Sequence, residues 1–224
     1  MGVVRPSYMD LGAHHPSYLN NTKLLYVDGS RGINVEANPQ LIPKFRRQRS
    51  KDTNLNFGIV DDEGNGETKD FYVMNVPAMS TFSPEEARRL EAETSIRVAK
   101  TIPVPVRGVS SLVDQYCDGA FPDLLTVDIE GTDSLVVPSV CRTPFDRRPK
   151  VICIETLTYS ETGTAAKKTE LIASIAAAGY DVYADTYINT IFRRSDFGGG
   201  HAVRVASGSA LRADGGADRS LVGI

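Results

Sequence analysis

Two stretches near the middle of the chain limit what it can fold into. Leu124-Leu125-Thr126-Val127-Asp128-Ile129 and Val151-Ile152-Cys153-Ile154 are apolar almost without interruption. A strand with one wet face alternates apolar and polar residues. A run this uniform is buried on both faces, as in a parallel sheet with helices on either side.

The flanking sequence supplies the rest of such a sheet. Tyr8 to Ala13 is a short apolar run broken by Gly12, and Ile33-Asn34-Val35-Glu36 is a second strand. Between them Asn20 to Val27 has helical density. Asn38-Pro39 predicts the start of a helix running through Leu41, Ile42 and Phe45 to the basic end Arg46, Arg47 and Arg49. Leu55 to Val60 is expected as one third strand. Phe71 to Val76 alternates like an edge strand, and Ser83-Pro84-Glu85-Glu86 opens a polar helix to about Glu93. Pro103 and Pro105 should deny the extended stretch 96–106 a central place in a sheet. Helices are expected at Ser110 to Cys117 and over the Ala-rich Thr164 to Gly179. Asp181 to Tyr187 and Asn189 to Arg194 are joined so closely that they must be antiparallel.

This β-α-β-α-β, excursion, α-β-α-β-α-β-β order predicts an α/β fold of Rossmann-like type. Its sheet should be mostly parallel and seven-stranded, with a terminal antiparallel pair. Residues 1–196 are expected as one domain with an inserted excursion at about 70–106. Residues 197–224, rich in Gly, Ala, Ser and Arg, are expected as an irregular tail.

Charge narrows the partners. A net charge of -3 gives no basic surface for nucleic acid. No apolar run reaches membrane-spanning length, and Met1 to Asp10 lacks the layout of a signal peptide, so a cytoplasmic protein is expected. Cys117, Cys141 and Cys153 form no Cys-x-x-Cys pair, which argues against a structural zinc site.

Ligands of open parallel sheets bind beyond the carboxyl ends of the strands, and acids stand there. Asp10-Leu11-Gly12-Ala13-His14-His15 follows the first strand, without the third glycine of a dinucleotide fingerprint. Glu36 ends the second strand, where a carboxylate suits the two hydroxyls of a ribose. Asp61 follows the third, within the acidic turn Asp61-Asp62-Glu63. Asp128 interrupts a buried strand and therefore needs a partner, a ligand or a perturbed pKa. The cluster Asp128, Glu130 and Asp133 leaves magnesium open, although Asp133 or Thr132 capping the next helix explains that end more simply. Glu155 closes the fifth strand in the same way. His14 and His15 cannot both point at one ion, being adjacent. Either could be a base near a substrate, or the pair could simply hydrogen-bond ahead of Pro16.

Taken together, these residues resemble the FkbM-type methyltransferases. The resemblance runs through 10–16, Asn21-Thr22, Leu25-Tyr26, Gly29, 32–39, Asp52 to Ile59, Ser80-Thr81-Phe82, 127–133, 151–155 and 189–192, in order. It implies a class I methyltransferase fold using S-adenosylmethionine, usually on a hydroxyl oxygen, here of a small molecule or sugar. Asp10, Gly12 and Ala13 would form the first cofactor motif, Glu36 the ribose acid and Asp61 the adenine-side acid. Asp128 would lie near the methyl donor, orienting the substrate or serving as base, with His14 and His15 as rivals for the base. Ser30 stands where the family commonly has Trp, and Ala37 where it has Pro. With little chain before the first strand, the excursion from Asp70 to Val106 is the expected substrate cover. Two other readings stand beside this one. A nicotinamide-dependent oxidoreductase is disfavoured by the missing glycine and the terminal strand pair, and a non-catalytic binding or scaffold protein would keep the same acids. Oligomeric state is not legible.

Overall fold

A computed structural model describes residues 2–129, 132–158 and 166–198. Glu130, His201 and the expected tail beyond Gly198 lie outside the described residues.

The centre of the molecule is β1 (Tyr8–Leu11), paired in parallel with β2 (Gly32–Val35) on one side and β7 (Leu124–Val127) on the other. β3 (Thr53–Leu55) extends the sheet beyond β2, and β8 (Val151–Glu155) beyond β7. β10 (Asn189–Arg194) then runs antiparallel between β8 and the edge strand β9 (Tyr180–Asp185). The order β3-β2-β1-β7-β8-β10-β9 is the expected Rossmann-like sheet of seven strands, mostly parallel with a terminal antiparallel pair.

All four residues of β1 and of β7 are buried, as their composition requires. Met9, Leu11, Leu125, Val127, Ile152 and Ile154 face α4 (Val109–Cys117), α5 (Val136–Arg142) and α6 (Thr169–Ala177). On the opposite face Tyr8, Leu124 and Val151 pack with Leu25 of α1 (Lys23–Val27). Arg49, just past α2 (Ile42–Gln48), is wholly buried there. The chain leaves β1 toward β2 and returns to β7 on the other side. The switch in strand order therefore falls between β1 and β7, where ligands of such sheets bind.

Several expectations change. The stretch 55–60 is two strands: β3 stays in the main sheet, while β4 (Gly58–Val60) leaves to join a second sheet. That sheet has the order β4-β6-β5, with β5 (Thr68–Met74) at its edge and the long β6 (Val98–Gly108) in the middle. The central place of β6 contradicts the reading of its prolines. β4 pairs only with Val106 to Gly108, so Pro103 and Pro105 have a strand on one side alone. The Val106 N–H donates toward β5, and alternation turns the ring nitrogens of the two prolines the other way, where no ladder bond is lost. Between β5 and β6, α3 (Pro84–Glu93) starts at Ser83, whose Oγ accepts the Glu86 N–H. Its buried Ala87 and Leu90 cover Met74 and Ile96.

Helix starts also shift. Asn38 accepts the Gln40 N–H in a local turn, and α2 begins at Ile42 with Pro43 in its first turn. α6 begins at Thr169, while its expected start at Thr164 lies outside the described residues; just before it, backbone bonds tie 166–168 to Thr156–Thr158, the segment that follows β8.

Candidate active site

The loop after β1 is shaped by two left-handed residues, Gly12 at φ +79° and His14 at φ +50°. Gly12 and Ala13 both donate their N–H groups to the carbonyl of Val35 at 3.0 Å. This turns the loop across the end of β2 and brings the His14 N–H to Glu36 Oε2 at 2.7 Å. Glu36 Oε1 accepts from Asn38 N, also at 2.7 Å. Asn56, past β3, donates to the carbonyls of Glu36 and Ala37 and fixes this turn from outside. Glu36 is 7% exposed. Burial pushes its pKa up to about 7 against the two backbone donors, and the Asp10 charge adds to the rise. Each carboxylate oxygen still has a lone pair to offer.

Asp128 follows β7 directly, and its N–H donates to the Leu11 carbonyl. Among the described residues none donates a hydrogen bond to its carboxyl group. Burial, then the carboxylates of Glu155, Asp133 and Asp10, push its pKa up to about 7, while Lys168 opposes them. Asp133, 2% exposed, accepts the Ile129 N–H at 3.0 Å with one oxygen and the Lys168 ammonium at 2.9 Å with the other. Lys168 also reaches Glu155 at 3.3 Å. Neither Asp133 nor Thr132 caps a helix by its side chain, contrary to expectation: Asp133 closes the turn behind it, and Thr132 donates to the Ile129 carbonyl.

Gly12, His14, Glu36 and Asp128 line one narrow cleft with a cavity volume of about 50 Å³. Phe57, Gly58 and Ile59 form a second wall, and Phe71, Pro77, Ser80 and Phe82 of the excursion form a third. Phe71 and Phe82 pack ring on ring at 4.7 Å. The Phe82 ring lies where any side chain at Gly58 would stand, 2.1 Å from an added Cβ.

Other expected site residues are not brought to this cleft. Asp10 is buried behind the loop, where its carboxylate accepts from Thr22, Asn20 and Thr126. Burial raises its pKa to about 6. Ala13 is buried, and its N–H is taken up by the Val35 carbonyl. His15 Nδ1 accepts the N–H groups of Ser17 and Tyr18, so its ring closes a turn. Asp61 is exposed and accepts from Gly64 N. Its neighbour Asp62 instead takes the Ser110 N–H and Oγ–H at the start of α4 and pairs with Arg142. Among the described residues no cluster of three His, Cys, Asp or Glu is placed to hold a metal, so magnesium gains no support.

Sequence reading missed two features. Arg49 reads as an exposed helix-end cation. It is instead fully buried, paired with Asp52 at 2.9 Å, and donates to Tyr8, Thr22, Asn20 and Asn34. Nothing in the sequence around it marks that burial. Lys168 had no distinguishing signal at all.

Comparison with known proteins agrees with this arrangement. No curated protein matches the chain. Among solved structures, a TehB-like SAM-dependent methyltransferase from Corynebacterium glutamicum is 9% identical, with a TM-score of 0.43 over 87% of this chain and 83% of that one. Precorrin-6y C5,15-methyltransferase from Geobacter metallireducens is 14% identical, with a TM-score of 0.40 over 84% and 79%. The profile of the methyltransferase FkbM domain matches residues 10–182, from within β1 into β9. With the strand order and the strand-end acids already described, this chain belongs to the FkbM methyltransferase family, whose methyl donor is S-adenosylmethionine.

Proposed function

We propose that the cleft at the ends of β1, β2 and β7 binds S-adenosylmethionine, and that the protein methylates a hydroxyl oxygen on a small molecule or sugar. The observation that carries the reading is the convergence of Glu36 and Asp128 on one cleft beside Gly12. The residues fit the cofactor. Glu36 keeps lone pairs for a vicinal diol, Phe57 and Ile59 offer an apolar wall for a base, and the surrounding carboxylates suit a cationic sulfur.

When bound, S-adenosylmethionine supplies a methyl group already activated by its positive sulfur. The protein's own work is then to place an oxygen, exclude water and take a proton. Asp128 is the first choice for the proton: it touches the cleft, its carboxyl group accepts no hydrogen bond among the described residues, and burial pushes its pKa up to about 7. His14 is the second. Burial and the neighbouring His15 and Lys44 lower its pKa, which leaves a neutral ring able to accept a proton. Asp10 and Ala13 serve by holding the loop.

Calorimetric titration with S-adenosylhomocysteine, for wild type and Glu36→Ala, tests the reading. A charge-assisted contact contributes about 1.5–3 kcal/mol, so the variant should bind roughly tenfold or more weakly. A folded wild-type protein that shows no saturable binding would overturn the proposal.

A further inference from the structure

Lys168 lies outside every motif in the chain, yet its ammonium reaches the acids behind the turn that follows Asp128. It sits just before α6, where its own N–H donates to the Thr156 carbonyl at 2.8 Å, tying it to the end of β8. Its ammonium bridges Asp133 at 2.9 Å and Glu155 at 3.3 Å, and its side chain is 24% exposed. The Asp133 side chain it holds is 1% exposed, and that carboxylate's other oxygen takes the N–H of Ile129, the residue after Asp128. The contact therefore runs from Lys168 through Asp133 to the turn that presents Asp128 to the cleft.

We propose that Lys168 is a positioning residue for Asp128, fixing the turn that carries it and supplying the positive charge that lets its carboxylate form beside Glu155 and Asp133. Among the described residues, the charges that act most on Asp128 are Glu155 from β8, Asp133 from the following turn, Asp10 from β1, and Lys168. Glu86 of α3 acts in turn on Glu155. Without Lys168, the three acids Asp128, Asp133 and Glu155 would face one another with this ammonium gone, and like charges disfavour ionisation. The proton would then be held on Asp128 to higher pH, and less of the enzyme would carry a competent base at neutrality.

The importance of Lys168 rests on reading Asp128 as the proton acceptor, but its measurement does not depend on that reading. In the full chain labelled with 13C at aspartate carboxyl carbons, the Asp128 resonance is identified by its loss in Asp128→Asn and followed against pH. Lys168→Met should move the Asp128 midpoint upward by about one pH unit. Lys168→Arg should bring it back to within half a unit of wild type. Lys168→Gln, which keeps a donor for Asp133 but no charge, should behave like Lys168→Met and serves if the methionine variant does not fold. S-adenosylhomocysteine affinity at pH 8 should stay within about threefold in all three, because Glu36 is untouched. An Asp128 midpoint that stays in place or falls in a folded charge-removing variant overturns the inference. Loss of S-adenosylhomocysteine binding by the wild type would instead overturn the cofactor reading, so the two failures are distinct.

Discussion

The backbone of Gly12 lies directly against the backbone of Asp128: a Cβ added to Gly12 would stand 1.8 Å from the Asp128 carbonyl oxygen. The two strand-end loops that flank the switch point are therefore in contact, main chain to main chain. Glycine is required at this position twice over, by that approach and by its φ of +79°.

Gly12→Ala should accordingly cost stability and binding together. Strain in the left-handed region is about 1–3 kcal/mol, before any displacement of the Asp128 turn. The melting temperature should fall by roughly 5 °C or more, with S-adenosylhomocysteine affinity down at least tenfold. Differential scanning calorimetry and a ligand titration would check it, and a variant as stable as wild type would refute the contact.

Cofactor affinity should depend on pH through Glu36. Ribose hydroxyls donate to the ionised carboxylate, so binding favours loss of the proton that burial retains up to about pH 7. Affinity for S-adenosylhomocysteine should rise between pH 6 and pH 8, then level off. The slope should approach tenfold per unit at its steepest, as expected for one linked proton. Glu36→Gln should flatten the profile even though Asp128 still titrates. A profile unchanged in that variant would assign the pH dependence elsewhere.

Asp128 should weaken the fold at alkaline pH. Its carboxyl group is held up to about 7 in the folded protein, above its ordinary range. Below the unfolded-state pKa both states are protonated and nothing is lost. As pH climbs through the interval to about 7, the unfolded chain releases its proton more readily and stability falls, remaining low beyond it. Asp128→Asn removes that penalty, so the variant should be more stable than wild type by about 1–3 kcal/mol at pH 8 and nearly equal to it at pH 4. Urea unfolding at the two pH values is the measurement; a variant less stable at pH 8 would contradict the account.

Arg49→Met should be among the most damaging substitutions away from the cleft. It would leave the fully buried carboxylate of Asp52 without its cationic partner, and Asp10 without a nearby positive charge. Breaking a buried pair in this way costs about 3–5 kcal/mol. Arg49→Lys should restore only part of it, because one ammonium cannot reach the acceptors that the guanidinium serves. Chemical denaturation of the three proteins would show the order.

Much of the site could be read in advance, and for one reason. In a parallel sheet, a strand buried on both faces must be apolar, so an acid at its end stands out by contrast. Asp128 after Leu124–Val127 and Glu36 after Ile33–Val35 are such acids, and both line the cleft. Asp61 carries the same signal, yet it follows β4, which has left the main sheet, and so it closes an exposed turn. The pattern of one strand cannot show which sheet the strand joins.

The sequence by itself determined the alternation of strands and helices, the parallel sheet with its antiparallel end, and the acids at the strand termini. These follow from local periodicity and from the rule that a buried strand is apolar. Tertiary structure alone decided that 53–60 divides between two sheets, that β6 accepts two prolines in a central strand, and that Arg49 is buried while Lys168 pairs with Asp133 and Glu155 behind Asp128. Each of these depends on what lies opposite: a free edge beside Pro103 and Pro105, a ring of acceptors around Arg49, two acids within reach of Lys168. A burial cost or a hydrogen bond takes its value from the partner, and the partners here come from distant parts of the chain.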